Sequence, residues 1–118
     1  MKHQKLEGYR MEKKSLLLKF LGKSPQLRII DFLLDNKLLD FSKKELIEEL
    51  GMSKTTFYRV WRELEELGIV KVSRKFGKTK LYKLNEENDL VKNLIELEKL
   101  LISVVAGKIE ERKLMVLK

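Results

Sequence analysis

Among its 118 residues the chain has no cysteine, one histidine, one proline and one tryptophan, and each scarcity narrows what it can be. Without cysteine there are no disulfides, thiolate metal sites or cysteine nucleophiles, a usage that fits a reducing, cytoplasmic interior. His3 has no second imidazole and no acid at a useful spacing, so a metal or general-base role is set aside for a tag-like or disordered start. Long apolar runs are missing as well. The richest clusters, 16–21 and 94–105, are interrupted by Lys19, Glu96, Glu98 and Lys99, so neither could cross a bilayer, and no secretory signal is visible. Glycine-rich phosphate cradles, nucleophile–base pairs and metal-ligand clusters are absent, and the carboxylates of Glu48 with Glu49 and Glu65 with Glu66 look like solvated helix faces. No enzyme, cofactor, metal or membrane partner is expected.

One further absence points towards a partner. From Leu67 through Asn85 there is no acidic residue, while Lys71, Arg74, Lys75, Lys78, Lys80 and Lys83 all fall there. The formal charge of +8 is unevenly placed: residues 1–23 hold seven bases and two acids, 24–52 four and six, 53–85 nine and three, and 86–118 six and seven. Positive charge gathered in two places is the footprint of a polyanion. With 43% hydrophobic residues, a chain of this length can bury one core and not two.

The stretch from Ser42 to Gly68 organises the rest. Ser42 can cap a helix start and Glu45, three residues on, can return the bond as a capping box; Leu46, Ile47 and Leu50 then form its buried side. Gly51 stands where a left-handed residue must end that helix. Ser53 caps the next, in which Phe57, Val60, Trp61, Leu64 and Leu67 recur at steps of three and four, and Gly68 closes it. Two helices separated by three residues must cross steeply, the geometry of a helix-turn-helix.

The outer face of the second helix carries Lys54, Thr55, Thr56, Tyr58, Arg59 and Arg62, with Ser53 at its start. Its bases lie in the first two turns and Glu63, Glu65 and Glu66 in the last, against the helix dipole. An anion approaching the N-terminal half would account for that order; a solvated face of random charge order is the competing account.

Around this centre the other elements fall in turn. Residues 1–11 lack a period and are expected to be mobile, with Lys2, Lys5 and Arg10 free to touch phosphate; 12–21 suggest a short helix whose Leu16, Leu17, Phe20 and Leu21 cover the domain or a second subunit. Ser24 and Pro25 start a helix that is apolar on most sides and ends at Asn36, and Phe41 packs beside the sheet or staples the helix after it. After Gly68 the period becomes alternating: Ile69, Val70 and Val72, then Leu81, Tyr82 and Leu84, bracket a polar tip with Gly77, a two-stranded hairpin. Arg74, Lys75 and Lys78 surround the tip and Lys80 follows it. Edge lysines that discourage aggregation explain some of these bases, not six without an acid.

From Asn85 the pattern is helical, with one stripe of Leu90, Leu94, Leu97, Leu101 and Val104 and a second of Val91, Ile95, Ile102 and Val105. One stripe on the domain and one on a twin helix would give a symmetric dimer, for which Val91, Leu94, Ile95, Leu101, Ile102 and Val105 are the candidates; a helix buried on both sides within one chain is the alternative. Gly107 breaks the pattern, leaving the tail through Leu117 as a short helix, an exchanged strand or disorder.

This order of helix, helix, turn, helix, hairpin and long helix resembles the winged helix-turn-helix transcription regulators of the ArsR and MarR kind, particularly the compact ones common in archaea. The likeness covers about residues 24–105 and is most specific in LIEELGMSKTTFYRVWRELEELGIV and SRKFGKTKLYKL. It implies that Lys54, Thr55, Thr56, Tyr58, Arg59 and Arg62 face a major groove and that helices at the chain ends dimerise. Metal-sensing relatives use cysteine and histidine clusters that this chain lacks, so that role is not carried over, and no motif indicates a small-molecule effector.

The expected molecule is mainly α with a small β-hairpin, a winged helix-turn-helix with a C-terminal dimerisation helix. Its parts are a basic arm and short helix (1–23), the winged domain (24–85) and a C-terminal helix and tail (86–118). The expected function is sequence-specific binding of double-stranded DNA by a homodimeric transcription regulator. A winged helix that docks on an acidic protein surface is the rival, separable by a gel shift, and RNA binding ranks lower because no exposed aromatic stacking series is present.

Overall fold

Among the described residues, serine opens four of the five helices, each time by taking up a backbone amide left orphaned in the first turn. A computed structural model describes residues 15–117, with side chains through Met115; the arm over 1–11 and the first residues of the helix expected at 12–21 lie outside the described residues. Ser15 Oγ accepts from Leu18 N–H at 3.2 Å and starts α1 (Leu16–Leu21), and Ser24 Oγ accepts from Leu27 N–H at 3.1 Å and starts α2 (Pro25–Asp35). Ser42 starts α3 (Lys43–Leu50) through the full capping box: Glu45 N–H donates to Ser42 Oγ at 3.1 Å and Ser42 N–H to Glu45 Oε1 at 2.9 Å. Ser53 starts α4 (Lys54–Glu66), with Thr56 N–H donating to its Oγ at 3.2 Å.

Between α3 and α4 the backbone turns at Gly51, whose φ of 59° and ψ of 32° are left-handed. A side chain there would be strained, which is why glycine holds the position. Arg28 of α2 satisfies the far end of α3 by donating to the Leu50 carbonyl, tying the first helix of the motif to the one before it.

After α4 come β1 (Val70–Phe76) and β2 (Thr79–Leu84), an antiparallel hairpin in which Val70 faces Leu84 and Phe76 faces Thr79. Phe41 adds a short bridge on the other side of β2, donating to the Tyr82 carbonyl at 2.9 Å and accepting from its N–H at 2.7 Å. It also packs edge-on against Phe32 at 5.0 Å, so it does serve the sheet. α5 (Asp89–Leu117) completes the chain.

The core forms where the apolar sides of these elements meet. Leu17, Ile29, Leu33, Leu46, Phe57, Val60, Trp61, Leu64, Leu84 and Val91 are essentially sealed from solvent. Trp61 is central: it stacks on Phe57 at 5.2 Å and meets Tyr82 edge-on at 5.0 Å, so the second helix of the motif and the hairpin share one aromatic contact. Leu17 brings α1 into the same core, the first of the two roles its apolar residues were expected to serve.

Three expectations are corrected. Gly107 does not end the last helix: α5 runs 29 residues without interruption, roughly 44 Å at 1.5 Å per residue, because one glycine costs a helix only about 1 kcal/mol. Leu67 leaves the apolar stripe and is 59% exposed, since α4 ends at Glu66 and the chain turns there towards Gly68. Val91 cannot meet a partner, because it is fully buried in its own core, and Leu94, Ile95 and Leu101 also pack against that core while partly buried. The two stripes of α5 therefore do not divide cleanly between self and partner. Of the residues proposed for dimerisation, Ile102 is exposed and Val105 half-buried.

Candidate nucleic-acid interface

The phase that buries Phe57, Val60, Trp61 and Leu64 turns the intervening residues of α4 outward. Lys54, Thr55, Tyr58, Arg59 and Arg62 are all exposed, Ser53 is exposed at the cap, and Thr56 is half-buried. Thr55, Tyr58, Arg59 and Arg62 line one open groove of about 530 Å³ together with Glu63 and Glu66. Four residues picked from the sequence for base and phosphate contact are thus brought to one surface. The two glutamates on it were not picked, although steps of four from Thr55 through Arg59 to Glu63 place a carboxylate on that same face. Glu63 is held by Gln26, whose Nε2 donates to its Oε1 at 3.3 Å.

The hairpin stands beside this face. Lys43, at the first position of α3, puts its ammonium 5.8 Å from the Tyr58 ring and 5.5 Å from the Tyr82 ring, so it links the outer side of α4 to the base of the wing. Sequence reasoning missed Lys43. The available signal was the one used for α4: Lys43 and Lys44 are bases in a helical first turn, where the dipole disfavours them.

From Lys71 to Lys80 every residue is exposed, including Lys75, Lys78, Lys80 and Phe76, so the tip is free to approach a ligand. Arg74 is the exception in its bonding. Its Nε donates to Asp40 Oδ2 at 2.7 Å and its Nη2 to Asp40 Oδ1 at 3.1 Å, while the guanidinium lies 5.0 Å from the Phe76 ring. The hydrogen bond from Arg74 holds the Asp40 carboxyl below the usual carboxylate range; partial burial opposes it, and Ser73 and the Arg74 charge add to it.

Two asparagines couple the end of α4 to the start of α5. Asn88 Oδ1 accepts from Leu90 N–H at 2.8 Å and Val91 N–H at 3.2 Å, capping α5, while its Nδ2 donates to the Leu67 carbonyl at 2.9 Å. Asn85 Nδ2 donates to the Gly68 carbonyl at 2.9 Å. Gly68, at φ 70°, turns the chain into the hairpin, and a Cβ there would lie 3.4 Å from Asn88 Nδ2.

Away from this surface, the carboxylates of Asp31, Asp35 and Glu98 come within 4.8 Å of one another where α2 meets α5. Asp31 is buried and accepts from Ser15 Oγ at 2.6 Å. Burial first, then the charges of Asp35 and Asp31, push the Glu98 carboxyl above its ordinary value, with Lys37 opposing. No sequence pattern placed these three together.

A helix pair joined by a left-handed glycine turn, a basic helix face open to solvent and a basic two-stranded hairpin define a winged helix-turn-helix fold. The family model of the Mga helix-turn-helix domain matches residues 9–85, well over half of the chain, and the chain belongs to that family. Among solved structures, NadR in complex with 4-hydroxyphenylacetate is similar in fold at a TM-score of 0.55 and 19% identity, with 97% of this chain and 81% of that one covered. A MarR family protein from Bacillus stearothermophilus is similar at 0.52 and 18%, with 97% and 86% covered. The winged architecture expected from the residues is therefore that of MarR-type structures. The comparison with curated proteins returned no match. Among the described residues no helix is long and apolar enough to cross a membrane.

Proposed function

We propose that the protein is a homodimeric transcription regulator that inserts α4 into the major groove of double-stranded DNA and sets its wing against the neighbouring backbone. The observation that carries this is the shared exposed face of Thr55, Tyr58, Arg59 and Arg62, linked to the wing through Lys43. Arg59 and Arg62 supply forked donors suited to guanine O6 and N7, Thr55 and Tyr58 contact phosphates or thymine methyls, and Lys54 and the Ser53 hydroxyl flank the phosphates at the helix start. Lys75, Lys78 and Lys80 grip the backbone as point charges.

The dimer reading rests on apolar surface left outside the core. Ile102 is 53%, Val104 55%, Ile109 48% and Leu114 61% exposed along the distal part of α5, with Phe20 of α1 at 57%. Exposed side chains of this kind, repeated along one long helix, fit a second copy of that helix. Two copies would address half-sites about 34 Å apart on one face of the duplex.

Selection of bound duplexes from a random pool, followed by titration at several salt concentrations, tests the proposal. Arg59→Ala should lose roughly 1–3 kcal/mol at one preferred base pair and flatten preference there. Lys78→Ala should weaken all duplexes alike and reduce the log–log salt slope by about 0.9. Equal binding and equal preference in wild type and Arg59→Ala would remove the major-groove assignment.

A further inference from the structure

We infer that Asp40 and Arg74 form a strut that sets the angle of the wing, and that the wing's phosphate contacts are made by lysines without Arg74. The second half of this rests on the DNA-binding reading; the first does not.

The hairpin needs such a support. β1 is buried only at Val70, and all residues from Lys71 to Lys80 are exposed, so no core contact orients the outer half. An isolated two-stranded ribbon is marginally stable in water. Asp40 comes from the connection between α2 and α3 and is fixed by its neighbour: Phe41 is bridged to Tyr82 by two backbone hydrogen bonds of 2.9 and 2.7 Å. Its carboxylate therefore projects from a backbone already registered on β2.

β1 is shaped to meet it. The pairing passes from Val72 opposite Tyr82 to Arg74 opposite Leu81, leaving Ser73 as an extra residue in a bulge. In a regular strand, consecutive side chains point to opposite faces, and a bulge re-aims the side chain that follows it. Arg74 then hydrogen-bonds the Asp40 carboxylate through two donors at 2.7 and 3.1 Å. The guanidinium also lies 5.0 Å from the Phe76 ring, which carries the constraint to the tip.

The residue types agree with this division. A planar fork suits a fixed, two-point bond to a carboxylate, whereas phosphate can be held by the point charge of a lysine. An acid at the foot of a basic wing lowers the attraction for DNA, so its contribution is geometric.

The test has two arms. In DNA-free protein, Asp40→Asn should speed amide hydrogen exchange across residues 73–80 by about two- to fivefold while leaving α4 unchanged, and the exchanged pair Asp40→Arg with Arg74→Asp should restore slow exchange. Unchanged exchange in Asp40→Asn, or a double variant faster than both single ones, overturns the strut.

In titrations with a mixed-sequence duplex, Arg74→Ala and Asp40→Asn should weaken binding by similar factors with the wild-type salt slope. A slope reduced by about 0.9 in Arg74→Ala together with tighter binding by Asp40→Asn would make Arg74 a phosphate ligand and overturn the division of labour. If wild type shows no duplex binding at low salt, the DNA-binding reading and the lysine assignment fall with it, while the exchange arm still decides the strut.

Discussion

Replacing Asn88 by alanine removes two hydrogen bonds that cap α5 and one that ties its start to the end of α4. Loss of the cap to Leu90 and Val91 costs about 1 kcal/mol, and loss of the exposed bond to the Leu67 carbonyl about 0.5–1 kcal/mol, so the variant should lose roughly 1.5–2 kcal/mol. For a chain of this size that is roughly a 6–12 °C fall in Tm. Trp61 is the sole tryptophan and is 1% exposed, so its fluorescence in a urea titration follows unfolding of the core directly. Protein concentration must be held constant, because a dimer links stability to mass action. Asn88→Asp separates the two parts: it keeps the capping oxygen and places an acid at a helix N-terminus, but cannot donate to Leu67, and should lose only about 0.5–1 kcal/mol. An alanine variant within about 0.3 kcal/mol of wild type, or an aspartate variant as damaged as the alanine one, would refute the capping argument.

Three other outcomes follow from the same coordinates. Gly51→Ala should cost about 1–2 kcal/mol in the urea titration from its left-handed backbone alone, since an added Cβ meets nothing within 4 Å; a neutral substitution would show that the turn relaxes freely. Ile109→Glu, at a position 48% exposed, should convert dimer to monomer in sedimentation at micromolar concentration while leaving Trp61 buried, and an unchanged dimer would move the interface elsewhere. Glu98→Gln should raise Tm at pH 7. The folded-state pKa of Glu98 is raised, so its charge opposes folding above that pKa; the opposition fades as pH falls towards the ordinary glutamate value, and the two proteins should converge in acid. A gain that persists unchanged at low pH would refute this cause.

The elements were legible because local chemistry determines them: serine caps at 24, 42 and 53, the left-handed glycine at 51, and the change of period after Gly68 all act within a few residues. The outward face of α4 followed from the same periodicity. What the chain alone could not supply were pairings across long separations. Asp40 with Arg74 lies 34 residues apart and Asn88 with Leu67 21 apart; neither has a local signature. The dimer candidates show the limit most plainly. Periodicity lists two apolar stripes on α5, but burial of Val91 and partial burial of Leu94, Ile95 and Leu101 depend on where α1 and α2 pack.

Sequence by itself thus determined which segments are helix, turn and wing, and which side chains α4 turns away from its own core, because capping, backbone strain and hydrophobic period are short-range. Tertiary structure alone decided that Arg74 is bonded to a carboxylate and that Lys43 joins helix to wing. Those outcomes depend on distances between elements, which no spacing along the chain encodes.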